Sequence, residues 1–316
     1  MNKKGMFFTL MAITFLFIFI FIFMVPGYKI YGEKMVVIEM RVDSMNDFVD
    51  DIERDTERGL YISSYRALMA LEDYLFIQGT FLDDVELFFV EALINGTINN
   101  QSSNFMIATT FPEWVENIDI KASALNVNTN ITIDSIRIYQ TDPWHVRVDA
   151  DLNYFVEDIS GLASWRRQRT IGTEISIIGF EDPLYTVKGL GRLTNQINST
   201  PYDGNYTYKI GDEWYVDRLI THAKNSYYSD NIAAPSFLMR FENNLSSSPY
   251  GIESLVNLKE LNELGMTIDQ DSSIVDYYYW DGADNGDYRV NDTPSWFRFD
   301  SGHLAKYEIV GLSYED

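Results

Sequence analysis

A chain of 316 residues with 46% hydrophobic and 15% aromatic residues has ample material for a folded core, which excludes a disordered tail. Its 24 basic against 47 acidic residues give a formal net charge of −23, so a phosphate backbone would repel it and nucleic acid is excluded as a partner. With no cysteine, disulfide staples, thiolate metal sites and a cysteine nucleophile are excluded as well, and stability has to come from burial and hydrogen bonding.

Residues 1–5 form a short basic leader, and from Met6 to Val25 twenty residues pass without a charge. At helical rise they span about 30 Å, the thickness of a bilayer's hydrocarbon core. Lipid offers no hydrogen bonds, so a helix that pairs its own backbone is the solution there. Seven phenylalanines make the run apolar on every side rather than along one stripe. The pattern predicts a transmembrane helix over 6–25, ended by Pro26 and Gly27. A cleaved secretory peptide would show a shorter apolar region and a small-residue cleavage site, whereas VPGYKIYGEK follows here. Lys3, Lys4 and the amino terminus form the basic flank. They predict a single-pass protein of the cell membrane with a cytoplasmic N-terminus and an extracellular C-terminal region. Without those two lysines the remainder carries 22 basic against 47 acidic residues, a formal charge of −25. Such a surface suits solubility outside the cell, cation binding or a basic partner.

Residues 28–80 read as one long amphipathic helix. Ile38, Val42, Met45, Val49 and Ile52 follow four-three spacing; the seam then fails at Thr56 and Gly59, where a bend is expected, and resumes as Leu60, Ala67, Leu71 and Tyr74. Two uses of the seam stand open: packing on the chain's own exodomain, and packing between helices of different molecules. A helical segment over 81–125 follows. In it DDVELFFVEALING has Asp83 or Asp84 as N-cap and Gly96 past its end, and FPEWVENIDIKASAL carries Pro112 near its first turn.

From Asn126 to the end the texture is β-rich, as one or two domains. NITIDSIRIYQTD, WHVRVDADLNYFVED, SWRRQRTIGTEISIIGF and NYTYKIGDEWYVDRL alternate with period two between turn-prone pairs, as a half-buried antiparallel sheet does. Helices are expected at VDRLITHAK and ESLVNLKELNELG, strands at SIVDYYYW, DYRV and HLAKYEIV. The fold class is therefore α+β: one transmembrane helix continued by a long amphipathic one, then a helical segment and an antiparallel exodomain.

The N-x-[ST] acceptor pattern occurs at Asn95, Asn100, Asn130, Asn198, Asn205, Asn244 and Asn291. Chance supplies roughly three such triplets in a chain of this composition, and the excess points to a glycoprotein. The opening KKGMFFTL before an unbroken apolar helix resembles the class III signal of archaeal type IV pilin-like cell-surface proteins. The resemblance implies that a prepilin peptidase reads Lys3, Lys4 and Gly5 and leaves Met6 as the new amino terminus. It further implies that the retained helix packs with like subunits in a filament. Leu10 stands where many bacterial members carry Glu.

Chemistry-bearing patterns are few. His145, His222 and His303 are far apart in ordinary contexts, no hydrolase, zincin or phosphate-loop motif occurs, and an enzyme is not expected. In DGADNGDYRVND, Asp281, Asn285, Asp287 and Asp292 are the oxygen donors of a candidate calcium loop, in which Ala283 stands at the third position and Asp rather than Glu at the twelfth; a hairpin tip explains the same residues. Tyr277, Tyr279 and Trp280, read as a strand, and Trp296 nearby are candidate sugar-stacking rings, or simply core. Two functions follow as expectations. One is a membrane-anchored extracellular structural protein, pilin-like or filament-associated. The other is a singly anchored receptor or adhesin that binds a glycan or another surface protein through the aromatic C-terminal region.

Overall fold

The structure is a computed structural model and describes residues 3–282 and 286–315, with side chains excepted at residues 3, 4, 24–34 and 37. The fold is mixed α+β and divides into two units. The first takes Met1–Asp55, Ile118–Ile131 and Tyr154–Arg167; the second takes Thr56–Asn117, Thr132–Asn153 and Gln168–Asp316.

Helix α1 runs unbroken over Lys3–Gln78. It therefore does not end at Pro26 and Gly27: an interior proline removes one backbone hydrogen bond from the ladder, and the helix continues past it. Its buried stripe does not fail either. Met45, Val49 and Ile52 are buried in the first unit; in the second, Thr56, Gly59, Leu60, Ser63, Ser64, Ala67, Leu68, Leu71 and Leu75 carry the stripe on. Small and hydroxylated residues hold the same face where the apolar pattern lapses. Gly59 is a site of close approach and not a bend, since a Cβ there would sit 2.3 Å from the Trp114 ring. The seam is thus covered by the chain itself from Met45 onward, while Ile38 is exposed.

Helix α2 (Val85–Asn95) starts at Asp84, whose carboxylate accepts from Leu87 N at 2.9 Å, and stops at Gly96, whose φ of 69° lets its N–H reach Ala92 O. A tight hairpin, β1 (Thr97–Ile98) and β2 (Gln101–Ser102), follows, with Glu91 accepting from the N–H groups of Asn99 and Asn100. Helix α3 (Phe111–Ala124) opens on a reciprocal cap: Thr110 N donates to Glu113 Oε2 at 2.9 Å and Glu113 N to Thr110 Oγ1 at 3.4 Å.

Strands β3 (Val127–Asp142), β4 (His145–Asp158) and β5 (Ser164–Ser176) form a sheet in that order, and β4, at its centre, buries alternate residues along most of its length. In the first unit Arg41 binds Asp158 at 2.8 Å and Leu125 O at 3.2 Å, and Arg167 binds Glu53 at 3.1 Å and Asp50 at 3.3 Å.

The rest of the second unit is built from short elements: α4 (Pro183–Lys188), the hairpin β6 (Tyr208–Ile210) and β7 (Glu213–Tyr215), α5 (Asp217–Lys224), β8 (Tyr228–Asp230), α6 (Phe237–Phe241), β9 (Ile252–Ser254), α7 (Leu258–Glu263), α8 (Asp276–Asp281), β10 (Tyr288–Val290), β11 (Arg298–Phe299) and β12 (Ser313–Glu315). β8 pairs antiparallel with β9, and β10 is the middle strand between β11 and β12. One core cluster, including Tyr185, Tyr206, Phe297, Phe299 and Tyr307, joins these elements. Two expected strands are absent. SIVDYYYW becomes the helix α8, capped by Gly282 with φ 69°, and HLAKYEIV becomes consecutive turns with Tyr307 N bonded to His303 O at 3.1 Å.

Candidate functional site

Gly5–Phe23 of α1 is a 19-residue stretch long and apolar enough to cross a membrane, and none of it is buried by the rest of the chain. Its only polar side chains are internally bonded, Thr9 Oγ1 to Gly5 O at 2.9 Å and Thr14 Oγ1 to Leu10 O at 2.8 Å. The segment therefore offers nothing but hydrocarbon to its surroundings. The leader residues Lys3, Lys4, Gly5 and Met6 lie within the first turns of the same helix; the two lysine side chains fall outside those described.

At the other extreme of polarity, the second unit encloses two charge networks that meet on β9 and at the start of α8. In the first, Arg240 Nη1 lies 2.6 Å from Asp182 and 2.9 Å from Asp276, all three fully buried. Ser254 donates to Asp276 through its backbone N–H and its hydroxyl, and Tyr228 donates to Asp182 at 2.7 Å. Burial pushes Asp276 up to about 6, with Arg240 pulling the other way, so the carboxylate is ionised at neutral pH. In the second network His303 bridges Asp300, 2.8 Å from Nδ1, and Glu253, 3.2 Å from Nε2, while Tyr307 donates to Glu253 at 2.9 Å. Burial opposes charge on His303, but the two carboxylates outweigh it and raise the imidazole to about 9. Glu253 is held below the usual carboxylate range despite its burial by His303 and Lys306, and Asp300 likewise by His303.

Through Ser254 and Glu253 these buried contacts tie β9 to the start of α8 and to the His303–Tyr307 turns. His222 is also buried, which lowers it to about 3; it contacts Thr200 at 2.9 Å and packs edge-on against Tyr206. Half-exposed His145 sits 3.0 Å from Asp142. His222 and His303 both pack against Tyr307 while His145 lies apart, and among the described residues no three His, Asp or Glu side chains are placed to hold a metal ion.

The sequence-derived residues scatter. Tyr277 and Tyr279 are 5% and 8% exposed on α8, with the Tyr277 hydroxyl 3.1 Å from His303, so they belong to the core and present no stacking face. Trp280 and Trp296 are half-buried against that core. Of the calcium candidates, Asn285 lies outside the described residues; Asp281 ends α8, and Asp287 and Asp292 flank β10. Between the last two, Tyr288–Val290 is the middle strand of a sheet, its backbone paired with β11 and β12. All seven acceptor asparagines, Asn95, Asn100, Asn130, Asn198, Asn205, Asn244 and Asn291, are exposed.

Sequence reading missed the buried charges and the exposed rings of the β6–β7 hairpin. Single charges inside apolar runs, Arg240 in SFLMRF and Asp276 in SIVDYYY, were the available signal, because a lone charge among core residues has to be paired. No protein-family model, no curated protein and no solved structure matches this chain.

Proposed function

We propose that the chain is a membrane-anchored structural protein of the cell surface, pilin-like or filament-associated, held by Gly5–Phe23 with its acidic bulk outside. The observation that carries this reading is an unburied apolar segment continuous with a helix whose later turns are packed into the fold. Beyond the span, Met35, Val36, Ile38 and Met40 are exposed on the same helix, apolar side chains that a neighbouring helix could cover. Exposure of every acceptor asparagine supports display where glycans are added.

The test is the mass of the amino terminus from native membranes. Processing after Gly5 leaves Met6 first and supports the pilin-like reading; an intact Met1 refutes it. A second reading, an anchored receptor or adhesin for glycan, draws support from the groove beside the β6–β7 hairpin.

A further inference from the structure

The β6–β7 hairpin turns at Gly211, with φ 64°, and pairs Tyr208 with Tyr215 and Lys209 with Trp214. Cross-strand partners share a face, so Tyr208 and Tyr215 stack at 5.3 Å while Lys209 stands 5.8 Å from the Trp214 ring. Trp214 remains 49% exposed and Tyr215 36%. Both line a groove of about 790 Å³ whose polar lining includes Glu213, Asp217, Asn291 and Asp292. Its size falls within the range of small-ligand sites.

We propose that this groove binds a neutral oligosaccharide, an inference that rests on the outward display of the second unit and gives the receptor reading a site of its own. A sugar ring presents an apolar C–H face and a rim of hydroxyls. Tyr215, on the face it shares with Tyr208 and Glu213, offers ring surface to the first; Glu213, Asp217 and Asp292 accept hydrogen bonds from the second, and the Asn291 amide can both donate and accept. Three carboxylates repel anionic sugars and phosphates. A basic peptide fits less well, since the cation positions at the hairpin's rings are already taken: Lys209 stands at Trp214, and Arg218 lies 4.6 Å over Tyr208. Asn291 also belongs to an acceptor triplet, so the sugar has two sources, a glycan carried by Asn291 itself or one from outside.

The test uses the full chain in detergent micelles, with calorimetric titration of neutral β-linked glucose and N-acetylglucosamine tetrasaccharides. An oligogalacturonate and a Lys-rich peptide serve as competing classes. Protein from a host without N-glycosylation should bind a neutral sugar saturably. Y215A should weaken it at least tenfold, Y215F by less, and E213Q severalfold, all with unchanged circular dichroism. If natively produced protein binds only after Thr293→Ala, which removes the acceptor triplet and keeps the Asn291 side chain, the occupant is the chain's own glycan; if it binds without that change, the sugar comes from outside. Failure of every neutral sugar to bind, equal binding by Y215A, or preference for the anionic sugar or the peptide overturns the inference. Because this assay does not involve the amino terminus, it can fail while Met6 is found exposed, or succeed while Met1 is intact.

Discussion

Glu72 lies on the buried side of α1 in the second unit, where its Oε1 meets no hydrogen-bond partner among the described residues. Burial first, then the charges of Glu181 and Asp182, raise it from 4.5 to about 9. At neutral pH the native chain therefore holds a proton that the unfolded chain does not. The sign is that of a raised pKa: the favourable contribution is complete below 4.5 and is lost as pH rises toward 9. Taking up that proton at pH 7 costs about 3 kcal/mol, at ~1.4 kcal/mol for each unit above the unfolded value. Glu72→Gln removes this cost and adds ~1–2 kcal/mol for an amide nitrogen left without an acceptor. The variant should be more stable than the parent by ~1–2 kcal/mol at pH 7 and no better at pH 4.5. Urea unfolding of detergent-solubilised protein across pH 4.5–8, followed by tryptophan fluorescence, reads both quantities. Equal pH slopes in parent and variant, with Glu72→Gln destabilising throughout, would show that Glu72 is ionised in the fold.

His303 should titrate near 9 by imidazole NMR; its raised pKa stabilises fully below 6.5 and is lost as pH rises through about 9, ~3 kcal/mol in all, while the lowered Glu253 and Asp300 lose theirs as pH falls. Arg240→Met strands Asp182 and Asp276 in a buried site and should cost ~3–5 kcal/mol in chemical denaturation, more than any exposed arginine such as Arg54. Gly59→Ala, favourable for an isolated helix, should instead destabilise by ~1–3 kcal/mol because its methyl enters the Trp114 ring, and Trp114→Ala should reverse the sign of that change. In the anchor, thirteen Leu, Ile and Phe residues favour insertion by roughly 4–8 kcal/mol, against about 3 for one central arginine. Phe15→Arg should therefore stay in membranes on flotation, whereas Phe15→Arg combined with Ile18→Arg should leave them.

Local signals were legible wherever the determinant is local. Asp84, Gly96 and Pro112 marked helix ends that the structure realises, and the alternating runs became β3, β4 and β5 because period two on a half-buried sheet is a property of the strand itself. The failures share one cause. SIVDYYYW has the composition of a strand, yet Asp276 has to meet Arg240 while Tyr277 meets His303, demands set by residues 36 and 26 positions away. HLAKYEIV likewise needs His303 and Tyr307 both within reach of the Glu253 carboxylate, which consecutive turns allow, whereas a strand would set side chains four residues apart about 13 Å from each other.

The same reasoning explains why α1 looked interrupted. An apolar count registers Thr56, Gly59, Ser63 and Ser64 as gaps, but the stripe is defined by what approaches it, and small side chains are what let Trp114 and its neighbours come close. Where large residues lie on this helix without cover, at Gly5–Phe23 and again at Met35, Val36, Ile38 and Met40, no such neighbour is present among the described residues. Burial by its own fold thus distinguishes the two halves of one continuous helix: packing within the chain accounts for the later half, whereas the earlier half exposes a stretch long and apolar enough to cross a membrane.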